Sequence, residues 1–341
     1  MPRDEGSSMD YLVTGATGLV GNNLVRQILE RGGTVRALVR SEGVPDCLAG
    51  LAVETARGDI RDAESVERAA RGVRCVLHAA ADTHIGWHHL ERQRQINVTG
   101  SRNVGLAARA AGARMIHVSS VDALPDSLDG RPVDEETPDR CKVPCTYVVT
   151  KREAEQAVRA LMQDGLDAVI VNPGFMLGPW DWKPSSGRML LAIARVRIPA
   201  APRGGMSGCD VRDVASGILN AATRGRPGHR YILAGENISY FDAWRMFARI
   251  VGHPPGPSYL IPSWINGLSG RLGDLWARVS GNETDVNSAM IQMSQRFHYY
   301  CSDRARRELG YQPRPFEESA RDAWEWLRAR EFPTPHSKPS P

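Results

Sequence analysis

The sequence predicts an α/β protein: a doubly wound parallel sheet followed by a smaller C-terminal lobe. Three observations carry that prediction. Residues 11–40 read as strand, glycine turn, helix, strand. Apolar runs then alternate with helix-period segments, joined mostly by short loops, as far as residue 178. Beyond it the rhythm breaks into stretches rich in Pro, Gly, Trp and Arg.

The first element is the apolar run 11–13, followed by glycines at i, i+3 and i+6: Gly15, Gly18 and Gly21. Leu24, Val25, Ile28 and Leu29 then share one helix face, Gly32-Gly33 stops the helix, and 34–39 reads as a second strand. This is the opening βαβ unit of a dinucleotide-binding Rossmann domain. One glycine permits the tight turn, one lets backbone approach a pyrophosphate, and one lets the helix pack closely on the sheet. The helix N-terminus offers free N–H groups to the phosphates. A plain β-turn-α with incidental glycines is the competing reading, and the complete unit argues against it.

A third strand is expected at 51–56, ending at Gly58-Asp59-Ile60, with Asp62 capping a helix over 63–71. Residues 75–78 are nearly continuously apolar, as in a parallel strand buried on both faces, and run into Ala79-Ala80-Ala81. A long helix over 93–111 is closed by Gly112, and a strand over 115–118 ends in Ser119-Ser120. A 26-residue loop carrying Pro125, Pro132, Pro138 and Pro144 leads to a helix starting near Tyr147. Residues 168–171 make a sixth strand, ending at Asn172-Pro173-Gly174. Helices are expected at 211–223, 240–251 and 317–328, with a strand at 231–233.

The resulting division is a disordered extension over 1–9, a dinucleotide-binding domain over 10–178, and a substrate-binding lobe over 179–330. Within the lobe, 211–235 returns to the sheet side, and 331–341 is a disordered tail. Ligands on open α/β sheets bind outside the carboxyl ends of the strands. That rule places loops 15–21, 58–61, 79–92, 119–146 and 172–209 around a cleft between the lobes.

Composition narrows the function classes. The chain has 341 residues, 42% hydrophobic and 24% charged. No run reaches the ~18 apolar residues of a membrane helix, and the first residues lack the apolar core of a secretory signal. A net charge of +4 without basic blocks argues against nucleic acid as a partner. The cysteines at 47, 75, 141, 145, 209 and 301 show no CxxC pair and no His at metal spacing. They read as free thiols in a reducing cytoplasm, with no metal.

Tyr147 and Lys151 stand at i and i+4, one turn apart on one helix face. A free phenol with a pKa of about 10 is a poor acid–base group at neutral pH. An ammonium beside it would favour the phenolate, and so would the positive charge of a nicotinamide. The hydroxyl of Ser120, at a neighbouring strand end, would hold a substrate oxygen.

Taken together, TGATGLVG (14–21), GDIRD (58–62), HAAA (78–81), INVTGSRN (96–103), VSS (118–120), YVVTK (147–151) and NPGFMLGP (172–179) resemble the extended short-chain dehydrogenase/reductase family. A later match, YYCSDRARRELGYQP (299–313), carries the resemblance into the C-terminal lobe. Within that family the chain is most similar to dihydroflavonol-reductase-like proteins, including a branch called hopanoid-associated sugar epimerases. The similar stretches are 78–87, 172–188 and 230–239. Most dihydroflavonol-type reductases carry Arg-Pro where this chain has Asn172-Pro173, as the hopanoid-associated branch does.

The resemblance implies a bound NAD(P), a catalytic set of Ser120, Tyr147, Lys151 and Asn97, and a homodimer through a four-helix bundle of 93–111 and 147–164. Tyr147 would be the acid/base, and Lys151 would bind the nicotinamide ribose and lower the tyrosine pKa. Ser120 would position the substrate, with Ser119 the competing choice. Asn97 would order a helix kink and a water linked to the lysine. Gly15, Thr17, Gly18, Leu19, Val20 and Gly21 would hold the phosphates, Asp59 and Ile60 the adenine, and Ala79, Ala80 and Ala81 the middle of the cofactor, while Pro173, Gly174, Phe175 and Met176 would also bind it. Ala107, Ala108, Ala110 and Ala111 would permit close approach of the second subunit.

NAD readers place a carboxylate at the end of the second strand. Here that strand ends Leu38-Val39-Arg40-Ser41, with no carboxylate until Glu42. Arg40 there suits a 2′-phosphate, so NADP(H) is expected ahead of NAD(H). Stacking of Arg40 on adenine with either cofactor is the alternative.

Candidate substrate contacts are Thr83, Trp87, Asp122, Trp180 and Met206. The tryptophans 87, 180 and 182 would make an aromatic wall or pack the lobe interface. The cluster His84, His88 and His89 lacks the partners of a metal site. Arg188, Arg197 and Arg212 are the side chains an epimerase would use to clamp a nucleotide-sugar diphosphate, with surface or lobe-packing roles the stronger expectation. The leading expectation is an NADP(H)-dependent carbonyl reductase or alcohol dehydrogenase acting on a mid-sized hydrophobic or aromatic substrate. The alternatives are an NAD-dependent nucleotide-sugar epimerase or dehydratase, and, in another class, a non-catalytic NADP-binding regulator, against which the intact Ser120/Tyr147/Lys151 set argues.

Overall fold

The computed structural model describes residues 9–332 except 128, 140, 141, 281–282 and 284–286. The expected extension before residue 9, the tail beyond 332 and Cys141 lie outside the described residues. The chain opens with six strands of one sheet: β1 (Met9–Thr14), β2 (Val35–Val39), β3 (Glu54–Arg57), β4 (Val73–His78), β5 (Arg114–Val118) and β6 (Ala168–Pro173). Three strands of the second lobe follow, β7 (Phe175–Leu177), β8 (Ala200–Ala201) and β9 (Gly205–Asp210), before β10 (Arg230–Leu233) returns to the first sheet. Its order is β3-β2-β1-β4-β5-β6-β10, with every pairing parallel.

Both faces of that sheet are covered, which explains the unbroken apolar runs of its strands. The helices of this part are α1 (Leu19–Glu30), α2 (Ala63–Ala70), α3 (Leu90–Gln93), α4 (Gly100–Ala110) and α5 (Thr146–Gln163). In the second lobe α6 (Arg188–Arg195) precedes α7 (Val211–Arg224), which comes back to the sheet. Alternation sorts the strand residues: Val169 and Val171 pack with α1 and α7, whereas Ala168 and Ile170 pack with α2, α4 and α5. Asp62 caps α2 by accepting from Glu64 N at 3.1 Å.

Two expected elements differ. The third strand begins at Glu54 rather than at 51, because Leu51 N→Leu48 O and Val53 N→Leu51 O bonds turn the chain before it pairs with β2. The long helix over 93–111 is in fact α3, a π-helical stretch Arg94–Thr99, and α4. The π stretch holds Asn97, whose amide is already bonded to the 82 backbone and to Thr150. On α4, Ala107 and Ala108 are buried against the chain's own sheet. They therefore do not offer the close approach to a second subunit expected of them; Ala110 and Ala111 are exposed.

The second lobe is centred on β9, which pairs antiparallel with β11 (Glu236–Ser239) and parallel with β7 and with β13 (Phe297–His298). Its core gathers Leu190, Leu191, Met206, Phe247, Phe316 and Leu327 from α6, β9, α8 (Tyr240–Val251) and α12 (Phe316–Glu331). A short strand β12 (Tyr259–Leu260) pairs with β8, followed by α9 (Ser263–Ser280), α10 (Ser288–Ser294) and α11 (Asp303–Leu309). Most of these elements escape a sequence reading. Strand β9 is GMSGCD, without alternation, yet wholly buried; a Cβ at Gly208 would lie 2.5 Å from the Phe316 ring. Among the described residues no helix is long and apolar enough to cross a membrane.

At the β1–α1 turn Gly15 has φ +73°, and a Cβ there would lie 2.7 Å from Ala80 N. A Cβ at Gly21 would lie 2.1 Å from the Gly15 carbonyl, while one at Gly18 would stand off at 3.4 Å. Gly21→Ala is therefore expected to lower stability by about 3 kcal/mol and Gly18→Ala by about 1 kcal/mol or less, as read from urea denaturation midpoints.

Candidate active site

Helix α1 starts at N-cap Gly18 with no side-chain cap. The first-turn N–H groups of Leu19 and Val20 are thus left to an outside acceptor. Gly18 is exposed and Thr17 half-buried. Across from this turn, Ala79 N donates to Thr14 O at 3.2 Å, and Ala79, Ala80 and Ala81 line the exit of β4, half-buried. At the end of β2, Arg40 is exposed and has no hydrogen-bond or ion-pair partner among the described residues. The nearby carboxylates are engaged: Glu42 pairs with Arg57 at 2.6 Å, and Asp59 takes both a 3.0 and a 2.8 Å bond from Arg61. Ile60 is buried beneath α4, where a Cβ at Gly100 would meet its Cδ1 at 2.6 Å. Beyond β6, Gly174 donates to Leu233 O at 3.1 Å and is pressed against Ser207 O. Pro173 is buried and Met176 half-buried, and the Phe175 ring stands edge-on to Phe316 at 6.4 Å, in the lobe. A glycine cradle and an uncapped helix terminus at the end of β1, and an arginine without a bonded partner at the end of the adjacent β2, are donors that suit a dinucleotide.

At the carboxyl ends of β5 and β6 lie Ser120, Tyr147 and Lys151, all buried. Lys151 donates to the Val118 carbonyl at 3.1 Å. The Ser120 hydroxyl is a group that favours ionisation of the Tyr147 phenol, whereas the Ser119 hydroxyl is buried without a partner among the described residues. Asn97 lies one layer behind, bonded to Thr150 at 3.0 Å on the Tyr147 helix. Asn172, whose motif alone gives it no role, holds the Ser120 carbonyl at 2.8 Å and Glu155 at 2.7 Å through its amide. Arg230 closes the set as the ion-pair partner of Glu155.

Electrostatics here run against the sequence expectation. Burial pushes the Tyr147 phenol up, the Asp122 carboxylate adds to that, and the Ser120 hydroxyl only partly opposes it. Lys151 is pushed down to about 8 by burial, against the pull of Glu155 and Asp122. The lysine therefore does not by itself lower the tyrosine; the protein keeps the phenol protonated.

Asp122 belongs to a buried charge cluster that no motif revealed. Its carboxylate accepts from the Ser120 hydroxyl at 3.3 Å and pairs with Lys142 at 3.2 Å. Lys142 is fully buried and also reaches Asp126 at 3.1 Å, the Tyr300 hydroxyl at 3.0 Å, and the carbonyls of Val121 and Leu124 at 3.3 and 3.2 Å. His298 Nδ1 stands 3.3 Å from Asp126 and 3.6 Å from Asp122. Burial disfavours the ammonium, but Tyr300, Asp122 and Asp126 outweigh it and raise Lys142. Burial likewise pushes the Asp126 carboxyl up, and His298 and Lys142 overcome it, holding it at about 2.

The other expected substrate contacts divide. Trp87 packs beside Tyr147 with Ile85, Val143, Ala289 and Met293, its indole N–H on Ser288 at 2.7 Å. Thr83 is exposed on the same loop. Trp180 turns elsewhere: the Arg26 guanidinium lies 3.4 Å from its ring centroid and Trp182 stacks at 6.4 Å, so it packs α1 against the lobe. Met206 is buried in the lobe core, since its place on the central strand β9 points it inward. His84 finds a distant carboxylate, Glu283, at 3.0 Å, and among the described residues no three-ligand metal group forms. Arg212 is held by Asp210 and Asp322 at 2.6 and 2.5 Å, which removes it from any diphosphate clamp.

Lys142→Met would strand two carboxylates and is expected to cost about 3–5 kcal/mol in urea denaturation. The depressed Asp126 contributes stability that is complete above its ordinary value of 3.8 and lost as pH falls through about 2. Acid unfolding of the wild type should therefore show a component between pH 3.8 and 2 that is absent in Asp126→Asn.

Comparison with known proteins agrees with this geometry. The family model described as "NAD dependent epimerase/dehydratase family" matches residues 11–234. The protein named "Putative dihydroflavonol 4-reductase" of Synechocystis sp. is 35% identical over 326 residues, 93% of this chain and 94% of that one. Sterol demethylase protein B of Methylococcus capsulatus is 35% identical over 325 residues, 94% of this chain and 99% of the relative. The crystal structure of gox2253 superposes with a TM-score of 0.81 at 39% identity, covering 94% of this chain and 98% of that one. The chain thus belongs to the NAD-dependent epimerase/dehydratase family of extended short-chain dehydrogenases/reductases, and is an NAD(P)-dependent oxidoreductase.

Proposed function

We propose that the protein is an NADP(H)-dependent carbonyl reductase for a mid-sized hydrophobic or aromatic substrate, with Tyr147 as the proton donor. The observation that carries this reading is the burial of Tyr147 among apolar side chains, an environment that pushes its phenol up. The bound nicotinamide supplies the hydride. The chain's own groups do the rest: Ser120 holds the carbonyl oxygen, and the Tyr147 phenol gives it the proton as the alkoxide develops. A phenol that keeps its proton at neutral pH suits reduction, because the acid is loaded before the substrate arrives. Lys151 holds the nicotinamide ribose, and the wall of Ile85, Trp87, Val143, Ala289 and Met293 excludes water. The names of two relatives, a dihydroflavonol reductase and a sterol demethylase component, support a bulky apolar substrate.

Arg40 supports the choice of NADP(H): it is unengaged where a 2′-phosphate would sit, while Glu42 and Asp59 are occupied by arginines. The epimerase reading is weakened by Arg212, which is locked to Asp210 and Asp322. A homodimer through α4 and α5 belongs to the same proposal.

Tyr147→Phe is expected to lower kcat for NADPH-dependent carbonyl reduction by roughly 10²–10⁴-fold while leaving NADPH binding intact. A variant that stays active would remove Tyr147 from the chemistry. In fluorescence titrations, Arg40→Ala should weaken NADPH by roughly tenfold, the worth of one charge-assisted hydrogen bond, and leave NADH unchanged. Equal losses for both cofactors would mean that Arg40 stacks on adenine instead.

A further inference from the structure

The largest feature left unused by this reading is a ridge on α9. Among the described residues ten large hydrophobic side chains are exposed, and seven of them fall between 259 and 279: Tyr259, Leu260, Ile265, Leu272, Leu275, Trp276 and Val279. Trp276 is 60% and Val279 77% exposed. At 3.6 residues per turn, the five on α9 occupy an arc of roughly 100°. The opposite side of the helix is the buried one. Ala277 is 5% exposed, and a Cβ at Gly270 would lie 3.0 Å from Ser288 on α10. The apolar arc therefore faces away from the described residues packed on the other side of α9.

Charge on α9 is one-sided. The segment 263–280 contains Arg271, Arg278 and one acid, Asp274. Asp274 is turned inward, capping α10 by accepting from Ser288 N at 3.0 Å. Arg271 is exposed beside the ridge. An outward face of Leu, Ile, Val and Trp with an arginine at its shoulder, preceded by an exposed Tyr-Leu pair, matches an interfacial helix that sinks its apolar side among lipid acyl chains. Two such ridges facing each other would bring arginines together without an outward acid to answer them, whereas lipid phosphates answer them directly.

We propose that the 259–279 ridge is a docking surface for an anionic lipid bilayer, holding the enzyme peripherally at the membrane. The opposite, buried face of α9 leads toward Tyr147. Ser288, against which α9 packs, accepts from the Trp87 indole at 2.7 Å, and Ala289 and Met293 of α10 pack on Tyr147. A bilayer under α9 would thus be separated from that wall by the thickness of the helix. The docking does not depend on the identity of the substrate or on the reductase reading.

Flotation of the purified full chain with vesicles tests it. Phosphatidylcholine vesicles containing phosphatidylglycerol should carry the protein upward, phosphatidylcholine alone should carry less, and added salt should weaken the difference. Leu275→Glu with Trp276→Glu replaces two exposed side chains, so the fold should persist, as checked by thermal denaturation and NADPH binding. The double variant should partition roughly tenfold less or worse. Failure of the wild type to float with either vesicle would overturn the proposal, as would unchanged flotation of the double variant. So would a dimer in sedimentation equilibrium that the double substitution dissociates without any flotation, since a second copy would then be the occupant.

Discussion

A buried ammonium that must be answered organises the catalytic side of this protein. Lys142 has no exposed side-chain surface, and leaving such a charge unpaired would cost several kcal/mol. Two carboxylates, a phenol and two carbonyls converge on it, drawn from the loop after β5 and from the strand and helix region near residue 300. Satisfying one lysine therefore shapes the proline-rich loop and fastens it to the C-terminal lobe. The same act presents Asp122 to Ser120, and Ser120 to Tyr147. Packing and chemistry meet in that chain of contacts.

The nucleotide side rests on a different constraint, close backbone approach. Gly15 and Gly21 are pressed against Ala80 and the Gly15 carbonyl, so their lack of side chains is a packing requirement. Gly18 keeps open space at the uncapped helix terminus. Such sites are read easily from sequence because spacing alone encodes them. The doubly wound sheet was legible for the same reason: buried parallel strands are continuous apolar runs, and those over 75–78 and 168–171 lie inside β4 and β6.

What remained illegible depends on contacts far apart in the chain. Nothing near Lys142 announces Tyr300 or His298, more than 150 positions away. The buried strand β9 lacks any alternation because Phe316, over a hundred residues later, fills the place of its missing side chains. Trp180 and Met206 were expected at a cleft, yet one stacks on Arg26 and the other fills the lobe core. Sequence order shows which segment approaches a site; side-chain direction is decided by partners that order does not reveal. The phenol's raised pKa is of the same kind, since Asp122 meets it only through the folded loop.

Burial and the Asp122 carboxylate push the Tyr147 phenol above its ordinary value. Nuclear magnetic resonance of protein carrying ¹³Cζ-labelled tyrosine would read that directly, with the Tyr147 signal assigned by its loss in the phenylalanine variant. In the protein alone this phenol is expected to stay protonated past the ordinary value near 10, and Asp122→Asn is expected to bring its titration down. Ionisation of Tyr147 below about pH 8 in the protein alone, a full two units under the free phenol, would contradict it.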